Sequence, residues 1–76
     1  MIEAKEIHTL LTAAFPGAEI TVQDTTGTQD HFSVAVLWQG FQGKRLIAQH
    51  QLVNQALHEP LADERIHALQ IKTAAL

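Results

Sequence analysis

The chain has 76 residues, of which 46% are hydrophobic, and this length and composition suit one small domain with a single core. It contains no cysteine, which excludes a disulfide framework and any thiolate ligand from this chain. Five lysines and arginines against eight acidic residues give a net charge of −3, which argues against a chain that attracts nucleic acid through its overall charge. The apolar runs are too short for a membrane span and the first turns are charged, so we expect a soluble cytoplasmic protein that does not bind membranes.

The first two elements predicted from the sequence are a helix and a strand. Residues 2–14 repeat apolar side chains at the spacing of one helical face, and Pro16-Gly17 ends the pattern with a turn. The apolar face carries Ile7, Leu10, Leu11 and Ala14. Residues 18–24 then alternate apolar and polar side chains, which is the period of a half-buried strand, so we predict the first strand there.

A hairpin is predicted next. The segment 25–30, TTGTQD, has no periodicity and contains a glycine, so we expect a loop of ordinary length. Residues 31–38, HFSVAVLW, form the second predicted strand. One face of this strand carries Phe32, Val34, Val36 and Trp38. Because the loop is short, the two strands are expected to pair antiparallel.

The stretch from Gly40 to Leu57 is predicted to be a glycine-bounded turn followed by an amphipathic helix that packs on the sheet. The predicted core-facing stripe consists of Leu46, His50, Val53 and Leu57, at steps of four, three and four residues. Since the neighbours of His50 on this face are apolar, we interpret it as a partly buried structural histidine and not as a ligand.

A third strand follows the helix. Pro60 removes a backbone donor, so we expect the helix to end close to His58. Residues 61–65 are predicted to be a short connection and residues 66–72 the third strand. The helical crossover is long enough for strands two and three to pair in parallel. The sequence therefore predicts one α/β (α+β) domain over residues 1–76, with the order α-β-β-α-β and helices on one face of a three-stranded mixed sheet.

Two histidines, His31 and His67, lie at the starts of the second and third predicted strands. Parallel pairing puts both at one end of the sheet, where adjacent strands are about 4.8 Å apart and two imidazoles could reach one ion or cluster. Alternation works against this, because His67 shares a face with Leu69 and Ile71 whereas His31 lies opposite Phe32. We therefore expect the two rings to meet only if the hairpin loop curls over the edge of the sheet.

Three segments, DTTGTQDHFSVAV, FQGKRLIAQHQLVNQAL and RIHALQIKT, occur in an order and at a spacing that resemble the BolA-like family over roughly residues 5–73. The resemblance implies a fold similar to the class II KH topology, in agreement with the element order above. Two features depart from the family pattern. Gln49 and Gln51 flank His50 where the family often has arginines, and the C-terminal helix of longer members has no counterpart before Leu76.

The resemblance also implies a partnership with a monothiol glutaredoxin around a shared [2Fe-2S] cluster, in which the partner's cysteine and a bound glutathione ligate one side. On this chain it implies His67, from the Ile-His-Ala motif, and a histidine or cysteine of the hairpin loop, for which His31 is the candidate. Such an adaptor would serve iron homeostasis or cluster transfer. A contact with Asp30, or plain solvent exposure, explains His31 equally well, so a structural interpretation stays open for it.

The alternative function is that of a KH-like, nucleic-acid-binding transcriptional regulator. Gly40 and Gly43 have the GxxG spacing by which KH domains hold a nucleic-acid backbone, and Lys44 and Arg45 add positive charge beside them. A simple turn between strand and helix explains the same residues. No nucleophile paired with a base, HExxH motif or phosphate-binding glycine loop is present, so we expect no enzymatic activity. The sequence leaves open whether the chain also forms a homodimer.

Overall fold

Three strands form one mixed sheet that carries helices on one of its faces. The computed structural model describes all 76 residues. The elements are α1 (Ala4–Ala14), β1 (Glu19–Asp24), β2 (His31–Leu37), a 3₁₀ turn (Gln39–Phe41), α2 (Leu46–Ala56), α3 (His58–Ala62) and β3 (Ala68–Ala74). The predicted α-β-β-α-β order is confirmed. No helix has the length and apolar character that crossing a bilayer requires.

The strand pairing is also the predicted one. β1 pairs antiparallel with β2, with Asp24 opposite Phe32 at the loop end of the hairpin. β2 pairs in parallel with β3, and His31 lies opposite Ala68. Because the pairing is parallel, the starts of β2 and β3 lie at one end of the sheet and the ends of both strands lie at the other.

A cluster of 11 buried apolar side chains fills the space between the sheet and the helices. On β2 the buried residues alternate with half-buried ones, as the sequence pattern predicts. On α1 the buried residues are Ile7 and Leu11, whereas Leu10 and Ala14, predicted on the same face, lie at its edge and are exposed. The buried stripe of α1 is therefore narrower than the apolar one.

The core-facing stripe of α2 differs from the predicted stripe. Val53 and Leu57 are fully buried and His50 is half-buried, as expected, but Leu46 is 59% exposed. Leu46 is the first residue of α2, so it lies at an end of the helix where Phe41 already fills the core. Periodicity gives the direction of a side chain around the helix axis, but it does not show where along the axis the core stops.

Gln49 is the buried polar residue of α2, at 8% exposure. Its Nε2 donates a hydrogen bond to the backbone carbonyl of Lys44 at 3.0 Å. The N-cap residue of α2 is Arg45, whose side chain caps no backbone group. The bond from Gln49 therefore joins the first turn of α2 to the residue that precedes the N-cap. The polar residue that α2 buries on its core side is therefore Gln49 and not a histidine.

The expected short connection over residues 61–65 is wrong at its start, because α3 occupies His58–Ala62. Pro60 is the third residue of this helix and is buried. In the first turn of a helix the missing N–H of proline has no intrahelical acceptor to lose, so Pro60 ends α2 without preventing a new turn. The backbone carbonyl of Pro60 in turn accepts a hydrogen bond from the Ile66 N–H at 3.0 Å, which leads the chain toward β3.

Candidate functional site

The hairpin loop between β1 and β2 is held by the carboxylate of Asp24, the last residue of β1. Its two oxygens accept hydrogen bonds from the backbone N–H groups of Thr26 at 3.3 Å, Gly27 at 2.8 Å and Gln29 at 3.0 Å. Gly27 and Gln29 have positive φ angles, of 76° and 61°. The loop therefore closes as a turn around one carboxylate, which fixes the position of its last residue, Asp30.

The backbone of Asp30 joins the loop to the start of β3. Its carbonyl oxygen accepts hydrogen bonds from the N–H groups of His67 at 2.7 Å and of Ala68 at 3.2 Å. The side chains of His31 and His67 are consequently neighbours, with ring centroids 6.2 Å apart and ring planes at 84°. The structure thus brings together the two histidines that the sequence singled out.

The alternation that argued against this proximity does not apply to His67. β3 begins at Ala68, so His67 precedes the strand and its side chain is not fixed to one face of the sheet. His31 is in β2 and points away from the buried Phe32, toward the face that the helices leave uncovered. The two rings meet at the end of the sheet, beside the loop.

The carboxylate of Asp30 lies between the two imidazoles. The Nδ1 atom of His31 is 2.7 Å from Oδ1, a hydrogen-bond distance, and the Nδ1 atom of His67 is 3.4 Å from Oδ2, within ion-pair range. The Thr28 hydroxyl also donates to Oδ1. The hydrogen bonds from Thr28 and then from His31 hold the pKa of Asp30 below its ordinary value of 3.8, so the group is ionised at neutral pH.

Asp30 was not among the residues predicted for the site. The available signal is its position directly before His31 in a polar loop, which also offers a structural explanation of that histidine. Its second contact, with His67, depends on the parallel register of β2 and β3 and cannot be read from a local pattern.

Both imidazoles are partly exposed to solvent. The side chain of His31 is 42% exposed and that of His67 is 55% exposed, whereas the carboxylate behind them is 21% exposed. A shallow depression of about 260 Å³ adjoins His31. The depression is lined by Thr25, His31, Phe32, Ala68, Leu69 and Gln70.

The donor set at this end of the sheet consists of two imidazoles. No group of three or more His, Cys, Asp or Glu side chains is arranged to hold a metal ion. Since Asp30 takes the Nδ1 side of the rings, the Nε2 atoms are the ones left for a ligand. This arrangement fits a half-site, in which this chain supplies two nitrogen ligands and other molecules supply the rest.

Comparison with known proteins identifies the family. Residues 11–76 match the family described as BolA-like protein. The chain belongs to the BolA-like family. It is 37% identical over 75 residues to an uncharacterized protein of Rickettsia prowazekii, covering 99% of this chain and 96% of that one.

Two further comparisons concern structure and function. The structure of BolA1 from Arabidopsis thaliana superposes with a TM-score of 0.85 at 30% identity, over 97% of this chain and 94% of that one. A relative in Vibrio cholerae described as the DNA-binding transcriptional regulator BolA is 49% identical over 47 residues, which cover 62% of this chain and 43% of that one. The BolA-like fold is thus confirmed over nearly the whole chain.

The GxxG segment of this BolA-like chain is packed into the fold. Phe41 is completely buried, and a Cβ atom placed on Gly40 would lie 2.6 Å from the ring of Trp38. Gly43 has a φ of 77°, which glycine adopts without strain. Packing and turn geometry therefore account for Gly40, Phe41 and Gly43.

Lys44 and Arg45 follow this segment and are exposed. They precede α2, and the turn before them follows the end of β2, whereas His31 and His67 lie at the strand starts. The basic pair and the histidine pair thus occupy opposite ends of the BolA-like domain.

The other three histidines are on helices. His50 is half-buried on α2, while His8 on α1 and His58 at the start of α3 are exposed. The Nδ1 atom of His8 is 3.4 Å from the Thr12 hydroxyl, one helical turn away. These exposed histidines provide matched control positions for changes at His31 and His67.

Proposed function

We propose that this BolA-like chain is an adaptor that binds a monothiol glutaredoxin and ligates, with His67 and His31, a [2Fe-2S] cluster that the two proteins share. The observation that carries the proposal is the pair of exposed imidazoles that meet on one carboxylate in a chain without cysteine. The proposed role is to stabilise, sense or hand on the cluster, and it involves no catalysis by this chain.

The ligand types of the half-site support a cluster that is shared between two proteins. Iron–sulfur clusters normally rest on four thiolates, and two imidazoles on one iron raise the reduction potential above that of the all-thiolate form. This chain has no thiolate to offer. The thiolates must come from the glutaredoxin cysteine and from glutathione, so the chain holds a cluster only together with its partner.

The proposal is tested by mixing the chain with a monothiol glutaredoxin, glutathione, ferrous iron and sulfide without oxygen. We expect the two proteins to elute as one complex, whose visible absorption and circular dichroism differ from those of the glutaredoxin homodimer because imidazoles have replaced thiolates. The matched control is His8→Ala, which removes an exposed histidine from α1 and should leave the spectrum unchanged. A cluster that stays on the glutaredoxin homodimer, in the presence of excess folded chain, would contradict the proposal.

Nucleic-acid binding is the competing function, and the exposed pair Lys44 and Arg45 after a GxxG spacing is the observation in its favour. The Vibrio cholerae relative is described as DNA-binding, which adds to it. Against it stand the buried Phe41 inside the GxxG segment and the net charge of −3. The side chain of Phe41, one of the two central residues of the segment, faces the core and is not available to a nucleic-acid backbone, and an acidic chain needs a local basic groove.

We therefore expect weak or absent binding of duplex DNA near physiological salt. A fluorescence anisotropy titration at several salt concentrations measures this, because log affinity falls with log salt by roughly 0.9 for each phosphate neutralised. The paired variant Lys44→Ala with Arg45→Ala is the comparison. Submicromolar affinity with a steep salt slope, lost in this variant, would make nucleic-acid binding the favoured function of the chain.

A further inference from the structure

We propose that Asp30 is the positioning residue of the histidine pair: its carboxylate takes the Nδ1 side of both rings and so directs both Nε2 atoms outward as the ligating atoms. The orientation of the rings is inferred from the geometry of this chain alone. The effect of that orientation on cluster binding rests on the proposed function.

The position of the proton on His31 follows from its contact with Asp30, since an aspartate with an ordinary pKa of about 3.9 is already a carboxylate anion at neutral pH. A carboxylate anion has no hydrogen to donate, so at the 2.7 Å contact the Nδ1 atom of His31 must carry the proton. In the neutral imidazole the lone pair then resides on Nε2, which is the form that binds a metal ion. An imidazole whose other nitrogen donates to a carboxylate is also a more basic ligand and keeps a fixed ring orientation.

His67 is held by Asp30 in two ways. Its backbone N–H donates to the Asp30 carbonyl at 2.7 Å, which fixes the position of the His67 backbone. Its Nδ1 atom is 3.4 Å from Oδ2, longer than a hydrogen bond, so the attraction is electrostatic and weaker than the bond to His31. We infer a graded effect, in which the carboxylate fixes the ring of His31 firmly and biases that of His67.

The carboxylate of Asp30 has no part in shaping the loop backbone. That task falls to Asp24, whose oxygens accept from three backbone N–H groups. The carboxylate of Asp30 receives hydrogen bonds from two side chains, the hydroxyl of Thr28 and the ring of His31, and faces the ring of His67. Removing it should therefore change the rings and leave the loop in place.

The first test measures the protonated nitrogen of each ring in the chain alone, by nitrogen-15 NMR at about pH 8, where a histidine with an ordinary pKa is neutral. We expect the proton on Nδ1 in His31 and, to a lesser extent, in His67. In Asp30→Ala both rings should move toward the Nε2-protonated form, with the larger change at His31. Asp30→Asn, which retains one acceptor oxygen, should give an intermediate result.

The matched control is Asp63→Ala, which removes an exposed carboxylate that bonds to Arg65 and contacts neither histidine. It changes the net charge by the same amount and should leave both rings as in the wild type. His31 protonated on Nε2 in the wild-type chain would overturn the proposal, and so would an Asp30→Ala spectrum in which neither ring changes.

The second test measures the lifetime of the shared cluster in the complex with glutaredoxin and glutathione. Outer-shell partners of metal ligands typically contribute about 10- to 100-fold in affinity, so we expect Asp30→Ala to shorten the lifetime by roughly that factor while the histidine-type spectrum remains. An unchanged lifetime would show that Asp30 does not position the pair for ligation. If His31→Ala and His67→Ala also leave the spectrum unchanged, the proposed function itself fails, and the NMR result still decides whether Asp30 sets the rings.

Discussion

Replacing His67 with alanine is expected to leave the fold intact and to remove the histidine-type spectrum of the shared cluster. The His67 side chain is 55% exposed and precedes β3, so its loss takes little from the core. Its backbone bond to the Asp30 carbonyl does not involve the ring and is kept. With an imidazole gone, the cluster should revert toward the all-thiolate form of the glutaredoxin homodimer and become more labile.

The measurement is the visible circular dichroism of the complex at neutral pH, with far-ultraviolet circular dichroism to show that the variant is folded. His31→Ala should change the spectrum in the same direction but less, because Asp30 or water can take the vacated position beside the loop. His58→Ala, which removes an exposed histidine at the start of α3, should have no effect on the spectrum. An unaltered spectrum from folded His67→Ala would exclude this residue as a ligand.

The sequence predicts the scaffold of this site because strands and turns depend on short patterns. Alternation in residues 18–24 and 31–38 locates β1 and β2, and the polar loop between them sets the antiparallel hairpin. The length of the helical crossover then allows the parallel pairing that puts His31 and His67 at one end of the sheet. The sequence therefore predicts the candidate pair.

The contact that joins the pair could not be predicted in the same way. The meeting of Asp30 with His67 requires the register of β2 against β3, and no tight turn fixes the register of two parallel strands that a crossover joins. The predicted face of His67 is also wrong, because β3 begins at Ala68, two residues after the predicted start at residue 66, and so does not include His67. Strand boundaries are among the least certain features of a sequence pattern, and here one residue decides whether two rings can meet.

The helical region shows a second limit of periodicity. The predicted stripe of α2 included Leu46, which is 59% exposed, and left out Phe41, which is completely buried in the turn before the helix. Apolar residues in turns have no period to identify them, so a buried side chain there is found only by its packing. The sequence pattern and the structure therefore give opposite expectations for how much Phe41 and Leu46 contribute to stability.

Phe41→Ala is expected to destabilise the chain by about 3–5 kcal/mol, the usual cost of emptying a buried aromatic site. The ring of Phe41 lies with its centroid 5.4 Å from that of Phe15 and 5.3 Å from that of Trp38, so the cavity would open in the middle of an aromatic cluster. Domains of this size are stable by only about 5–15 kcal/mol, so the loss is a large share of the total. The melting temperature should fall by more than about 10 °C.

Leu46→Ala is the matched control, since it also truncates a large apolar side chain near the start of α2 but at an exposed site. It should change the free energy of unfolding by less than about 0.5 kcal/mol. Urea denaturation followed by tryptophan fluorescence measures both variants, because Trp38 packs against Phe41 and reports the cluster directly. Below its melting temperature Phe41→Ala should still form the glutaredoxin complex, since the histidine pair lies at the opposite end of the sheet. If Leu46→Ala proved the costly change and Phe41→Ala a nearly neutral one, the stripe predicted from periodicity would be the true core face, and the GxxG segment would be free to serve as a binding loop.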